Sequence, residues 1–260
     1  MRFGSEHITY LIWFPRNNTT ELRTIFEILQ KCLQTQTLSK KDLAQLRGQK
    51  RVITTCTVKK GTVEDFSNIS LSGVSARVFV DGKSWGFSST SRFDFKSVKQ
   101  TLENAVKLGK TSAKFKKQKI MLEPVKAVTA DVSTLAKKPL HNFSAEDIIQ
   151  IPLEASKGAR ETGSQVVDAK ATYISIEDDK YFLSSEGTRI HQNITRVLLL
   201  VDAIAKGDSL ICPASENLGH AGGLEIFDKT SPYSFGKKIA EKAIGLLNAK
   251  APPSGKFRVV

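Results

Sequence analysis

Apolar residues recur every three or four positions in several segments of the chain, which is the spacing of an amphipathic helix. One such segment follows Thr19 and Thr20, either of which can cap a helix. A second follows Ser91 and Asp94, and we expect it to end near Gly109. The pattern therefore predicts two helices in the first half of the chain.

The second half has the same spacing in two places. One helix is predicted in residues 231–250, before the pair Pro252 and Pro253. Another should begin at Ser144, because acids follow in its first turn. Pro152 has no backbone N–H to donate, so we expect it to break or kink this segment into two short helices.

Alternation of β-branched and polar residues predicts two hairpins between the first two helices. The first hairpin spans residues 51–70 and turns at Gly61. The second spans residues 73–89, and Asp81-Gly82 suits a type I′ turn. Trp85 and Phe87 come back along the second hairpin, and we expect both to pack in the core beneath a helix.

Residues 164–206 contain three strand-like runs, separated by acidic or glycine-bearing turns at 177–179 and 185–187, which predict a meander. A glycine-bearing loop follows in residues 207–228. The fold class is therefore α+β, with two consecutive units that are each an antiparallel sheet or meander covered by helices. We expect boundaries at residues 1–128 and 129–250, with residues 251–260 leading into a further strand.

Composition fits a folded cytosolic protein. The chain has 260 residues, 40% of them hydrophobic, and we expect a packed core. Cys32, Cys56 and Cys212 are odd in number and widely spaced, so we interpret them as reduced thiols. The apolar run before Pro15 and the one in residues 197–205 are both too short to span a bilayer, so no membrane segment is predicted.

The formal net charge is +13, and lysines are concentrated in residues 107–126. Such a cluster can follow a phosphate backbone, but Phe115 is its only aromatic residue and it has no arginine for reading bases. A nucleic-acid binder therefore stays open as a less favoured alternative. A solvated connection is the simpler interpretation.

Catalytic motifs are absent from the sequence. It has no H-E-x-x-H, the four histidines are far apart, and no G-x-x-x-x-G-K-[ST] accompanies the glycines of residues 219–223. Cys212 has no evident base near it in sequence. We predict no catalytic residue and no metal ligand in this chain.

Three collinear blocks resemble the TldD/PmbA family, the bacterial and archaeal metalloproteases also known as modulators of DNA gyrase. They are GVSARVFVDGKSWGFSST, SSEGTRIHQNITRVLLLVDAIA and HAGGLEIFD, the last followed by LLNAKAPPSGKFRVV. The resemblance covers roughly residues 40–260, and residues 1–39 match least well.

In the family, the segment resembling GKFRVV is followed by a catalytic part whose H-E-x-x-x-H helix holds zinc. The resemblance implies that zinc belongs to a C-terminal domain missing here, and that this chain alone should not hydrolyse peptides. It also implies dimers with an identical or related TldD/PmbA subunit, enclosing an unfolded peptide. A non-catalytic scaffold that pairs with a complete relative is the alternative.

The polar and glycine positions within the matched blocks are the candidates for peptide contact. An exposed strand can hold an extended peptide through main-chain hydrogen bonds with little side-chain preference. The simpler interpretation is a wet sheet face and a flexible loop. The candidate residues are Arg189, Thr195, Arg196, His220, Gly222 and Gly223.

Overall fold

A computed structural model describes residues 19–36, 39, 42–123, 125–250 and 254–258, with side chains in the first helix described from Thr24 onward. The helices are α1 (Thr19–Gln34), α2 (Phe95–Ala113), α3 (Ala145–Arg160) and α4 (Pro232–Leu246). The strands are β1 (Leu43–Lys59), β2 (Thr62–Val80), β3 (Ser84–Thr90), β4 (Thr129–Ser133), β5 (Val166–Ser184), β6 (Arg189–Lys206) and β7 (Ile211–Ala221). Short 3₁₀ helices lie at Leu140–Asn142 and Leu224–Asp228.

The described strands form one seven-stranded sheet in the order β3-β2-β1-β5-β6-β4, and β7 also pairs with β6. All pairs are antiparallel except β4 with β6. The predicted α+β class, with antiparallel strands covered by helices, is confirmed. The sequence did not predict that β1 and β5 pair along most of their length, so that both predicted units share one sheet. The boundary near residue 128 stays a prediction.

The four helices lie on one face of this sheet, in two pairs. α1 and α2 bury a core with the even-numbered residues from Val74 to Val80 of β2 and the first part of β1. α3 and α4 bury a second core with the last part of β1 and the odd-numbered residues of β5 and β6. Because side chains alternate across a strand, these positions all point to the same side. The other side carries no helix within the described residues.

Both predicted hairpin turns are confirmed, but the two hairpins are not separate, because they share β2, which runs without a break from Thr62 to Val80. The first turns at Lys60-Gly61 and the second at Asp81-Gly82. All four residues have positive φ, between 51° and 80°, as a type I′ turn requires at both central positions. Asp and Gly accept this conformation at low cost, which is why the sequence signal was clear.

The predicted helices are confirmed, with two corrections. Asp94 caps α2 by accepting a hydrogen bond from the Ser97 N–H at 2.9 Å, but the helix continues past Gly109 to Ala113. The expected break at Pro152 is wrong, since α3 runs without interruption from Ala145 to Arg160. The apolar residues around the proline are buried in the core, and this burial outweighs one lost backbone hydrogen bond.

The predicted turn at residues 177–179 is wrong, because these three acids lie inside β5. The turn at 185–187 is confirmed, so β5 and β6 are two long strands rather than three short ones. The predicted loop in residues 207–228 is also wrong over half its length, where it forms β7. A three-stranded meander thus exists, built from β5, β6 and β7.

The aromatic residues of the second hairpin differ from expectation. Trp85 is half-buried between Phe79 and the guanidinium of Arg77, which lies 3.9 Å from its ring centroid. Phe87 is 60% exposed, so its assignment to the core is wrong. Both side chains point to the face without helices, because they pair with odd-numbered residues of β2.

The lysine-rich segment, described over residues 114–123 and 125–128, is an exposed strap along one end of the sheet. It reaches the β2–β3 turn, where the Ile120 N–H donates to the Gly82 carbonyl at 2.7 Å. Its other end contacts the β5–β6 turn, where Ala127 lies beside Gly187.

Cys32, Cys56 and Cys212 are free thiols.

At the other end of the described chain, Phe257 and Arg258 belong to no strand, and Val259 and Val260 lie outside the described residues. Among the described helices, none has the length and apolar character needed to cross a membrane.

Candidate functional site

Two strands pair with the edge of β6 that faces away from β5. β4 pairs with the beginning of β6 and β7 with the rest, and Thr195 lies between the two paired segments. Its N–H donates to the Thr134 Oγ1 at 3.2 Å, and its carbonyl accepts from the Gly222 N–H at 3.0 Å. The main chain of Thr195 is therefore already occupied on this edge.

His220, Gly222 and Gly223 converge on the same junction. The His220 Nε2 lies 2.9 Å from the Gly223 carbonyl oxygen, and the Gly223 N–H donates to Glu225 at 3.0 Å. Glu225 also accepts the Lys138 N–H at 2.9 Å. Desolvation raises the pKa of Glu225, but these backbone donors outweigh it and lower the pKa to about 2. The carboxylate thus fixes the loop after β7.

Gly223 is needed here because of a close approach. A Cβ at this position would lie 2.0 Å from the Lys138 carbonyl oxygen. From the sequence, Gly222 and Gly223 are candidates for contact with a peptide. In the structure, the backbone that approaches belongs to Lys138 of the same chain.

The two candidate arginines lie apart from this junction. Arg196 points to the face without helices, where its Nη1 is 3.2 Å from Asp178. Arg189 begins β6, about 20 Å along the strand from Thr195, and its guanidinium stacks 4.2 Å from the Phe26 ring centroid. The structure therefore brings together Thr195, His220, Gly222 and Gly223 only, and peptide contact by any of the six stays a prediction.

The outer edge of β7 carries unused backbone groups. The Gly222 N–H bonds to the Thr195 carbonyl, so the even-numbered residues of β7 face β6 and the odd-numbered ones face outward. No described strand pairs with this outward edge. Pro213 fits this assignment, because proline lacks an N–H and is tolerated at outward positions of edge strands. The outward residues are Ile211, Pro213, Ser215, Asn217, Gly219 and Ala221.

The inner side of β7 is held firmly. Leu218 and Ala214 pack on the core beneath α4. Glu216 forms ion pairs with Lys242 and, at 3.3 Å, with Lys238 of α4. The strand is thus fixed in an extended form while its outer edge stays accessible.

Between the two buried cores, the helix-covered face of the sheet has a half-buried strip of residues, here called the groove. It contains Val52 of β1, Glu177 and Asp179 of β5 and Thr195 of β6 side by side. Burial raises the pKa of Glu177 to about 7, and no described residue pairs with its carboxylate. Sequence reasoning missed this group because the acids resembled a turn.

His191 lies at one end of this groove and is buried between two carboxylates. Its Nδ1 is 2.9 Å from Asp131 and its Nε2 is 2.6 Å from Asp179, which also accepts the Tyr181 hydroxyl. Desolvation lowers the pKa of His191, but the two carboxylates outweigh it and the net shift is upward. The histidine thereby ties β4 to β5 and β6.

A metal ion does not fit this cluster. Both ring nitrogens of His191 are engaged by carboxylates on opposite sides of the ring, so neither is free to bind a metal. Nor do the described residues contain any other group of three or more histidine, cysteine or acidic side chains suited to a metal.

Comparison with known proteins decides the family. Residues 44–109 match the sequence profile of the PmbA/TldA metallopeptidase domain 1, and residues 138–247 match that of the PmbA/TldA metallopeptidase central domain. The chain belongs to the PmbA/TldD family. The resemblance identified from the sequence blocks is confirmed.

Two curated archaeal metalloproteases are similar to this chain. One from Methanocaldococcus jannaschii is 26% identical over 219 residues, which are 84% of this chain and 48% of that protein. One from Methanothermobacter thermautotrophicus is 27% identical over 227 residues, covering 84% of this chain and 46% of that protein. The chain thus spans about half the length of the relatives it matches.

Solved structures show the same PmbA/TldD fold. A Bacteroides thetaiotaomicron protein, named as a modulator of DNA gyrase, superposes with a TM-score of 0.71 at 18% identity, covering 91% of this chain and 52% of that one. TldE from Thermococcus kodakarensis has a TM-score of 0.59 at 14% identity, covering 86% of this chain and 47% of that one.

Proposed function

We propose that this chain is the non-catalytic, peptide-holding part of a PmbA/TldD metallopeptidase. Support comes from the two matched family domains and from the sequence, which lacks an H-E-x-x-x-H motif. Zinc and the water that it activates belong, in this proposal, to the rest of the family polypeptide. The chain works in a dimer with an identical or related subunit.

The outward edge of β7 carries the proposal. An extended peptide can add to it as a further strand, exchanging main-chain hydrogen bonds with the odd-numbered residues from Ile211 to Ala221. Such binding depends little on side chains, which suits an unfolded substrate. His220 and the two glycines then border the end of the bound strand rather than its middle.

Peptide binding at this edge is tested by fluorescence anisotropy with a labelled, unstructured decapeptide. Asn217→Pro removes one outward N–H, and we expect binding to weaken about tenfold, since a lost hydrogen bond costs about 1 kcal/mol and the proline ring hinders the approach. Asn217→Thr keeps the N–H and favours a strand, so it is the matched control and should bind like the original chain.

A second probe is the same decapeptide with alternate backbone nitrogens methylated. Weaker binding of this probe supports strand addition. Equal binding of both peptides, or no binding of either, would contradict the peptide-holding role. A scaffold subunit would instead bind a complete relative and show no affinity for the peptide.

A further inference from the structure

The sheet face opposite the helices, here called the open face, is apolar at its centre. Outward positions of an antiparallel strand that faces water are normally polar. Here β1 and β2 place Ile53 and Ile69 side by side, and Ile53 also neighbours Ile176 of β5. The next positions continue the patch across the sheet with Ile174 and Leu198.

These side chains are only partly covered. Ile69 is 49% exposed and Leu71 is 53% exposed, while Ile53, Ile176 and Leu198 are half-buried by their neighbours. A contiguous apolar patch in the middle of a sheet marks an interaction surface, whereas scattered apolar residues do not. The described helices all pack on the opposite face of the sheet.

A charged cluster lies within the patch. The carboxylate of Asp178 is fully buried and accepts from the Arg51 Nε at 2.6 Å and from its Nη2 at 2.9 Å. The Lys180 Nζ lies 3.3 Å away and the Arg196 Nη1 3.2 Å away. Three cations share one carboxylate, so the cluster keeps an excess of positive charge. A partner that complements it brings carboxylates as well as apolar side chains.

We propose that the open face is the docking surface for the remaining half of a PmbA/TldD polypeptide, a partner that presents an apolar patch with acidic residues. This inference rests on the proposed function. Relatives are about twice as long as the matched region, so a polypeptide of suitable size exists in each of them. A second copy of this chain is disfavoured, because its own Arg51 and Arg196 would meet like charges.

The test measures binding of this chain to the separately produced remaining half of the Methanocaldococcus jannaschii metalloprotease, by isothermal titration calorimetry. Ile69→Lys and Leu71→Lys place a charge on the open face at half-exposed positions, so the fold should tolerate them. We expect each to weaken binding about tenfold or more. Leu108→Lys, at a 51% exposed position on α2, is the matched control and should leave binding unchanged.

No binding by the original chain, or equal weakening by all three variants, would overturn this inference. Self-association of the chain that Ile69→Lys abolishes, seen by sedimentation, would assign the face to a second copy instead. Binding that appears only after residues 1–18 are removed would assign it to that segment. The Ile69→Lys variant should still bind the decapeptide, so failure of docking is distinguishable from failure of peptide binding.

Discussion

Three consecutive acids in the middle of β5 have different surroundings because side chains alternate across the sheet. Glu177 lies in the groove, where burial raises its pKa to about 7. Asp178 lies on the open face, where hydrogen bonds from Arg51 and Gln49 outweigh desolvation and lower its pKa to about 2. Asp179 returns to the groove, where His191 outweighs desolvation and lowers its pKa.

Glu177→Gln should make the protein more stable at pH 8. The folded-state pKa of Glu177 lies above its ordinary value of 4.5, so its contribution to stability is complete below pH 4.5 and is lost as pH rises through about 7. Removing the charge should raise the free energy of unfolding by about 1–3 kcal/mol at pH 8 and change little at pH 4. Urea unfolding at both pH values measures this.

The control for that prediction is Glu186→Gln, in the exposed β5–β6 turn, which should change stability little at either pH. A Glu177→Gln variant that loses stability at pH 8 would show that the carboxylate has a stabilising partner.

The sequence did not reveal the surroundings of these three acids. Three acids in a row suggested a turn because Arg51 and His191, which pair with Asp178 and Asp179, lie elsewhere in the sequence. Their proximity depends on the β1–β5 and β5–β6 registers, which a single sequence does not specify.

Among the elements, helices with a regular apolar stripe and hairpins with Asp-Gly or Lys-Gly turns were predictable, since local signals define them. β7 was missed because Pro213 and Gly219 within it, with Gly222 and Gly223 just after it, are typical of a loop. An edge strand tolerates proline and glycine at outward positions. Pro213 and Gly219 both lie at such positions, so they also indicate which edge of β7 is free.

Helices α3 and α4 approach closely through glycine, which predicts opposite effects of alanine at two positions of α4. A Cβ on Gly236 would lie 1.9 Å from the Ala155 carbonyl oxygen, whereas one on Gly245 meets nothing within 4 Å. Gly236→Ala should lower the free energy of unfolding by about 1–3 kcal/mol. Gly245→Ala should raise it by about 0.5–1 kcal/mol.

Urea midpoints of the two alanine variants, compared at one pH, provide the measurement. Equal shifts in the same direction would show that helix propensity alone determines the effect of alanine in α4. The contact between α3 and α4 would then adjust to the added Cβ without loss of stability.

For the whole molecule, the shared sheet predicts a single unfolding transition. Each helix pair covers part of β1 and β5, so neither core is complete without strands from both halves of the chain. In a Trp13→Phe variant, Trp85 is the only tryptophan and reports on the second hairpin. Its fluorescence and the far-ultraviolet circular dichroism should change at the same urea concentration. Two separate transitions would instead support independent units.

The lysine-rich strap has a consequence for how the molecule responds to proteolysis. Its side chains are exposed. It joins two halves of the chain that are also held together by the antiparallel pairing of β1 with β5. Trypsin should cut it first, yet the two fragments should co-elute as one native particle. Co-elution would show that covalent continuity at this point is dispensable once folding is complete, and that the same two pieces suit a split reporter.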